Sequence, residues 1–310
     1  MKYPYVNNTI RVESENDNEV HIYNYITDCH LTLNKEDYEF LMKLDGNTDP
    51  YSLSDDKEYV DDIMAFLNSE RLVRTGRFMA SGLSVYCALW TPKKNGWLER
   101  HAPLLNKCIL ILAPICLFLG LWHYENTYID TGNVFLLGFF FGIICGVILH
   151  ELGHAIAALA YGVTVYEMGI GIHSLMPGAY TFLFRNKVLS ILQRVQVNLA
   201  GLEMNALLAG IFLILSRMPY LHSFFLTGAI ANGYMTALNL TGNVIVDGFE
   251  AMTDLLGITV KGKPSLKLRP KVHMKGIQKW AFYICMVSIF VTHLISVLLF
   301  VDVIVRAFFL

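Results

Sequence analysis

The chain changes character near residue 80. Before that point apolar positions recur singly among Asp, Glu, Lys and Asn, whereas from about residue 108 they run together. In the first part, 20–25 alternates as a short strand does. Asn34 then opens a helix, with Asp37 three positions on as the partner for an N-terminal cap. Phe40, Leu41 and Leu44 form its apolar stripe, and Asp45-Gly46 ends it. A second helix is predicted over 54–68, with Val60, Ile63, Met64 and Leu67 on one face, and Leu72-Val73 supplies a closing strand. These elements make residues 1–80 a small α+β module of winged-helix-like pattern. Residues 81–107 read as a linker to a membrane-embedded domain, 108–310.

In that domain five stretches approach the roughly 20 apolar residues that a bilayer core requires: 104–124, 134–160, 195–215, 221–246 and 280–305. The first is short and holds Pro114. The segment 161–184 is broken by Gly162, Gly169, Gly171, Pro177 and Gly178, and its partial alternation predicts a β-hairpin instead of a span. The fold class is therefore an α-helical polytopic membrane protein of about five spans with a small α+β front end.

Composition agrees. The 310 residues are 54% hydrophobic and 16% charged, with a mean hydropathy of +0.44, against about 25% charged in an average soluble protein. A purely cytosolic or secreted enzyme is excluded. A net charge of −2 and an acid-rich front module give no electrostatic basis for binding nucleic acid. The six cysteines have no CxxC spacing, and four lie in apolar runs, so they read as packing residues. No signal peptide is expected, because the first thirty residues lack an apolar stretch with basic flanks. Lys93, Lys94 and Arg100 precede the first span and Lys107 lies at its start; only Glu125 and Asp130 carry charge between the first and second. Arg185, Lys187 and Arg194 precede the third, and seven basic residues from Lys261 to Lys279 precede the fifth. By the positive-inside rule the chain is a multi-pass protein of the cell membrane, with its N-terminal module in the cytosol and its C-terminus outside.

The chemistry centres on His150-Glu151-Leu152-Gly153-His154, at the end of the second span. Residues i and i+4 share a helix face, so both imidazoles can reach one Zn²⁺, and Glu151 is placed to act on a metal-bound water as general base. Catalytic zinc usually takes three protein ligands. Asp247, at the end of the fourth span, comes level with the histidines in the topology above, with Glu250 and Asp254 as competitors. Glu203 is a carboxylate inside the third span, where it must face a polar cavity, be protonated or find a partner. Asn205 and Asn239 can line the site or join helices.

With these residues in hand, the chain resembles the site-2 protease family of intramembrane zinc metalloproteases. Those proteins carry HExxH on one helix, Asn-x-x-Pro-x-Pro-x-Leu-Asp-Gly on a later one, and often Ala-Gly-Pro with a following Asn between them. Here Ala200-Gly201-Leu202-Glu203-Met204-Asn205 takes the middle position, Asn239 matches the Asn, and Asp247-Gly248 the Asp-Gly. Gly242 and Val244 stand in place of the two prolines, Val246 of the Leu, and Leu202 of the middle proline. The resemblance covers 134–250 and implies His150, His154 and Asp247 as zinc ligands, with Glu151 as base. Family members also hold a β-hairpin beside the active site.

The pattern over 6–78 resembles the PqqD-like domains that capture leader peptides of ribosomally made, modified peptides. Together the two resemblances imply a membrane metalloprotease that trims such a peptide, with the bilayer, a leader-bearing substrate and an export transporter as partners. The alternatives are regulated cleavage of an anti-sigma factor or a signal-peptide remnant, and a non-catalytic membrane scaffold or immunity protein.

Overall fold

Hairpin pairing and helix caps build the first of two units in the computed structural model. It describes residues 3–256 apart from 8–9, 25–26, 28, 77, 82–83, 93–95, 123–132, 174–175, 185–188 and 241–246, and beyond them 259–261, 271–273 and scattered positions. The units are Met1–Lys93 with Gly162–Val188, and Lys94–Tyr161 with Leu189–Leu310.

In the first unit β1 (Tyr5–Val6) pairs antiparallel with β5 (Val73–Arg74). Strands β2 (Ile10–Glu15), β3 (Glu19–Asn24) and β4 (Cys29–Asn34) form an antiparallel sheet in that order. Helix α1 (Lys35–Lys43) follows at once. Its cap is the one the sequence suggests, since the Asn34 side chain accepts the Asp37 N–H at 2.7 Å. Helix α2 (Lys57–Ser69) starts behind Asp56, which accepts from the Tyr59 N–H at 3.1 Å. Val20 and Ile22 of β3, Leu41, Leu44, Val60, Leu67 and Leu72 bury completely in one core.

A second sheet has the order β6-β7-β8-β9, from β6 (Phe78–Ser81), β7 (Ser84–Trp90), β8 (Thr164–His173) and β9 (Met176–Phe184). The expected hairpin over 161–184 is thus present, and its partner is β7, with Val85 opposite Ile172 and Cys87 opposite Ile170. The stretch 81–107, read as a linker, carries that strand and the start of a helix. The hairpin is also tied to β5. Arg74 forms an ion pair with the fully buried Glu167, the Tyr180 hydroxyl donates to Glu167 at 3.1 Å, and the Arg74 guanidinium lies over the Tyr5 ring. Burial, with the Glu167 carboxylate beside it, holds the Tyr180 hydroxyl well above the usual phenol range.

The second unit contains α3 (Trp97–Trp122), α4 (Asn133–Ala160), α5 (Ile191–Leu215), α6 (His222–Asn239), α7 (Asp247–Leu255) and a short pair, β10 (Thr259–Lys261) with β11 (Lys271–His273). Among the described residues three helices are long and apolar enough to cross a membrane: Trp97–Trp122, Val134–Ala160 and Ile191–Leu215. The first begins seven residues ahead of the expected 104 and continues past Pro103 and Pro114. Prolines are tolerated in membrane helices because neighbours satisfy the freed backbone groups. The expected span 221–246 is not one helix, for α6 ends at Asn239 and Asp247 opens α7. Residues 241–246, where the family's prolines would stand, and most of 280–305 lie outside the described residues.

Lipid offers no hydrophobic drive between helices, so small residues and hydrogen bonds hold them. Gly138, Gly142 and Gly146 form a stripe on α4 toward α6; a Cβ on Gly142 would meet Gly228 Cα at 2.6 Å. Asn232 donates to the Gly142 and Gly228 carbonyls at 3.0 and 2.9 Å. The same four-residue spacing continues along α4 to His150 and His154.

Candidate metal centre

His150 and His154 lie one helical turn apart near the end of α4, both buried. Asp247, the first residue of α7, meets them: its Oδ2 is 2.8 Å from His150 Nε2 and 3.3 Å from His154 Nε2. The two Nε2 atoms are 3.2 Å apart. Among the described residues this is a group whose donor atoms all lie within 4.8 Å of one another, with the reach to hold one metal ion.

The second nitrogen of each ring is also occupied. His154 Nδ1 lies 2.7 Å from the Val197 carbonyl of α5. A carbonyl can only accept, so Nδ1 carries the proton and the Nε2 lone pair is turned to the cluster. The Asn205 amide, fully buried on α5, lies 3.1 Å from His150 Nδ1. Two imidazoles and a carboxylate are a donor set that catalytic zinc takes, leaving a fourth position open.

Space for this cluster comes from glycine. A Cβ on Gly201 would lie 2.6 Å from the Nε2 atoms of both histidines. Gly248 has a similar role for α7, since a Cβ there would meet the Asn239 carbonyl oxygen at 2.7 Å. The Asp-Gly pair thus places a donor carboxylate and lets its helix start against the end of α6. Asn239 meets the residue after Asp247 through its backbone carbonyl.

Of the competing carboxylates, Asp254 is engaged elsewhere. It accepts from Arg194 Nε at 2.7 Å and from Asn198 Nδ2 at 3.1 Å. Glu250 is not in the converging group. Glu203 takes a hydrogen bond from Gln196 Nε2 on its own helix at 2.8 Å. Glu151 is half-buried beside the first histidine. The sequence reading did not assign roles to Gly201, the Val197 carbonyl, Arg194 or Asn198. The available signal was spacing, since 194, 198, 201 and 205 fall on one face of α5.

Peptidase family M50 matches residues 138–301, more than half of the chain and all of this cluster. The chain belongs to peptidase family M50. The M50 family is that of the site-2 proteases, zinc-dependent metalloproteases of membranes, so this chain is a membrane protein of metalloprotease type. Searches of the curated proteins and of the solved structures return no match.

Proposed function

We propose that this M50 chain hydrolyses a peptide bond at the His150–His154–Asp247 cluster, with those three residues holding zinc and Glu151 acting as general acid and base. The observation that carries this reading is the convergence of the three donor atoms within 4.8 Å. Zinc bound there would supply Lewis acidity, activating water near neutral pH and polarising a substrate carbonyl. Glu151 takes a proton from the attacking water and returns it to the leaving amine. Val197 and Asn205 hold the two imidazoles in place, and Gly201 keeps the space before them clear.

The substrate in this reading is a small or membrane-associated peptide, and one bearing a leader fits the soluble module best. Residues 6–78, taken as a PqqD-like winged helix, would hold the leader in the cytosol and raise the local concentration of substrate. The five-span topology, with its C-terminus outside, belongs to the same proposal.

Metal analysis and peptide cleavage by the purified full chain test the site. Glu151→Gln is expected to retain zinc and lose turnover by about 10²–10⁴-fold. His150→Ala, His154→Ala and Asp247→Ala are expected to bind zinc far more weakly as well. Stoichiometric zinc and full turnover in Asp247→Ala would remove Asp247 from the ligand set. Leader capture is tested by titrating the full chain with a leader peptide, because deleting 6–78 would also take Arg74 from Glu167.

A further inference from the structure

Asp247 is the ligand with the least support from its own helix. α7 has only nine residues, and helices shorter than about 12–15 residues are marginal alone. The direction of Asp247 is therefore set by whatever anchors α7. At its start the anchor is the close approach of Gly248 to the end of α6. At its other end Asp254 lies between Arg194 and Asn198 of α5. Arg194 is itself held, since its Nη1 donates to the Leu189 carbonyl at 3.0 Å, just ahead of the Ser190–Gln193 capping box that opens α5.

The spacing makes this anchor part of the site's frame. At about 100° per residue, seven residues fall about 20° short of two full turns. Asp247 and Asp254 thus leave α7 on one side, about 10 Å apart along its axis. On α5, Arg194 and Gly201 are also seven residues apart, with Asn198 and Asn205 on the same face. The contacts run in opposite numerical order: Asp254 against 194 and 198, Asp247 against the histidines that Gly201 accommodates. Two antiparallel helices with equal rung spacing therefore carry a polar clamp at one rung and the metal cluster at the other.

We propose that Arg194, Asn198 and Asp254 are positioning residues for zinc binding, fixing α7 so that Asp247 meets His150 and His154. The inference rests on the zinc reading above. It goes further by assigning a role to three residues outside the converging donor group.

The test is zinc affinity of the full chain in detergent, measured by competition with a chelator. Asp254→Ala and Arg194→Ala are expected to weaken zinc about 10–100-fold, as loss of outer-shell partners does. Arg194→Asp combined with Asp254→Arg should recover most of that loss. If Asp254→Ala loses its helical circular dichroism, Asp254→Asn, which keeps the shape and removes the charge, is read instead, with the same direction expected. A general folding role is separated by repeating Asp254→Ala in the Asp247→Ala background. A clamp acting through Asp247 predicts no further loss of the residual affinity there. Wild-type affinity in both Asp254→Ala and Asp254→Asn, or an undiminished further loss without Asp247, overturns the clamp. Should His150→Ala leave wild-type affinity unchanged, the zinc reading itself falls and the clamp with it.

Discussion

The two units solve burial in opposite ways. In the first, large aliphatic side chains go inside: Val20, Ile22, Val60, Leu67 and Leu72 are fully buried, each contributing about 1.5–3 kcal/mol by leaving water. In the second, large side chains face outward, with Ile111 at 59% exposure, Leu121 at 58% and Phe140 at 59%. Alongside buried apolar side chains such as Leu208, Phe212 and Leu226, it buries small and polar residues, including Ala200, Gly201, Asn205 and Asn232. Water rewards hiding bulk. Lipid does not, so glycines and amides add close approach and hydrogen bonds to the apolar contacts between helices. A buried polar cluster such as His150–His154–Asp247 needs close helix approach and held polar groups, and the second style of packing supplies both.

The largest effect that separates the two styles is expected in the first unit. The Arg74–Glu167 pair is an ion pair inside a water-excluded core, and removing one partner strands the other charge. Glu167→Ala should destabilise the first unit by about 3–5 kcal/mol, seen as accelerated proteolysis of residues 1–93 in the full chain. Zinc affinity of the second unit should be unchanged. A parallel loss of zinc would mean that the units do not respond separately.

A smaller effect, in the reverse sense, is expected at Gly201. In an exposed helix Gly→Ala stabilises by about 1 kcal/mol. On α5 the added methyl would sit 2.6 Å from the Nε2 atoms of His150 and His154. Gly201→Ala should therefore weaken zinc about 10–100-fold, the range seen when ligand orientation is disturbed. Unchanged zinc affinity would show that the histidines can move aside and that the glycine is there for helix packing alone.

What the sequence discloses follows the same division. α1 and α2 could be read because water-facing and core-facing positions alternate with a helical period, and Asn34 and Asp37 mark a cap. The histidines could be read because HExxH encodes its own geometry. Strand β7 was passed over as linker because its partner is remote, Val85 lying opposite Ile172, and no local pattern reports such a pairing. α5 is apolar around most of its circumference, so periodicity did not say which face looks at α4. The sequence favours Asp247 as the third donor, with Glu250 and Asp254 as competitors. All three lie on one short helix, and only the contacts of Asp254 with Arg194 and Asn198 separate it from the cluster.

The smallest effect belongs to the most legible feature, the Asn34 cap. Asn34 ends β4, and its side chain accepts the Asp37 N–H at 2.7 Å, satisfying a helix donor that would otherwise lack a partner in the helix. Asp37 is tied in turn to α2, because the Tyr59 hydroxyl donates to its carboxylate at 2.9 Å. Asn34→Ala should cost about 1 kcal/mol and Asn34→Gly only a few tenths. Asn34→Asp should be close to neutral, since a carboxylate caps as well as an amide and is favoured at a helix N-terminus. Hydrogen exchange at the α1 amides of the full chain gives the readout, with α4 and α5 unaffected. Equal exchange in the Ala and Asp variants would mean that α1 is held by Phe40, Leu41 and the Tyr59 contact instead of by its cap. The first unit would then depend on its core alone, and its contrast with the polar-braced helices of the second would be sharper.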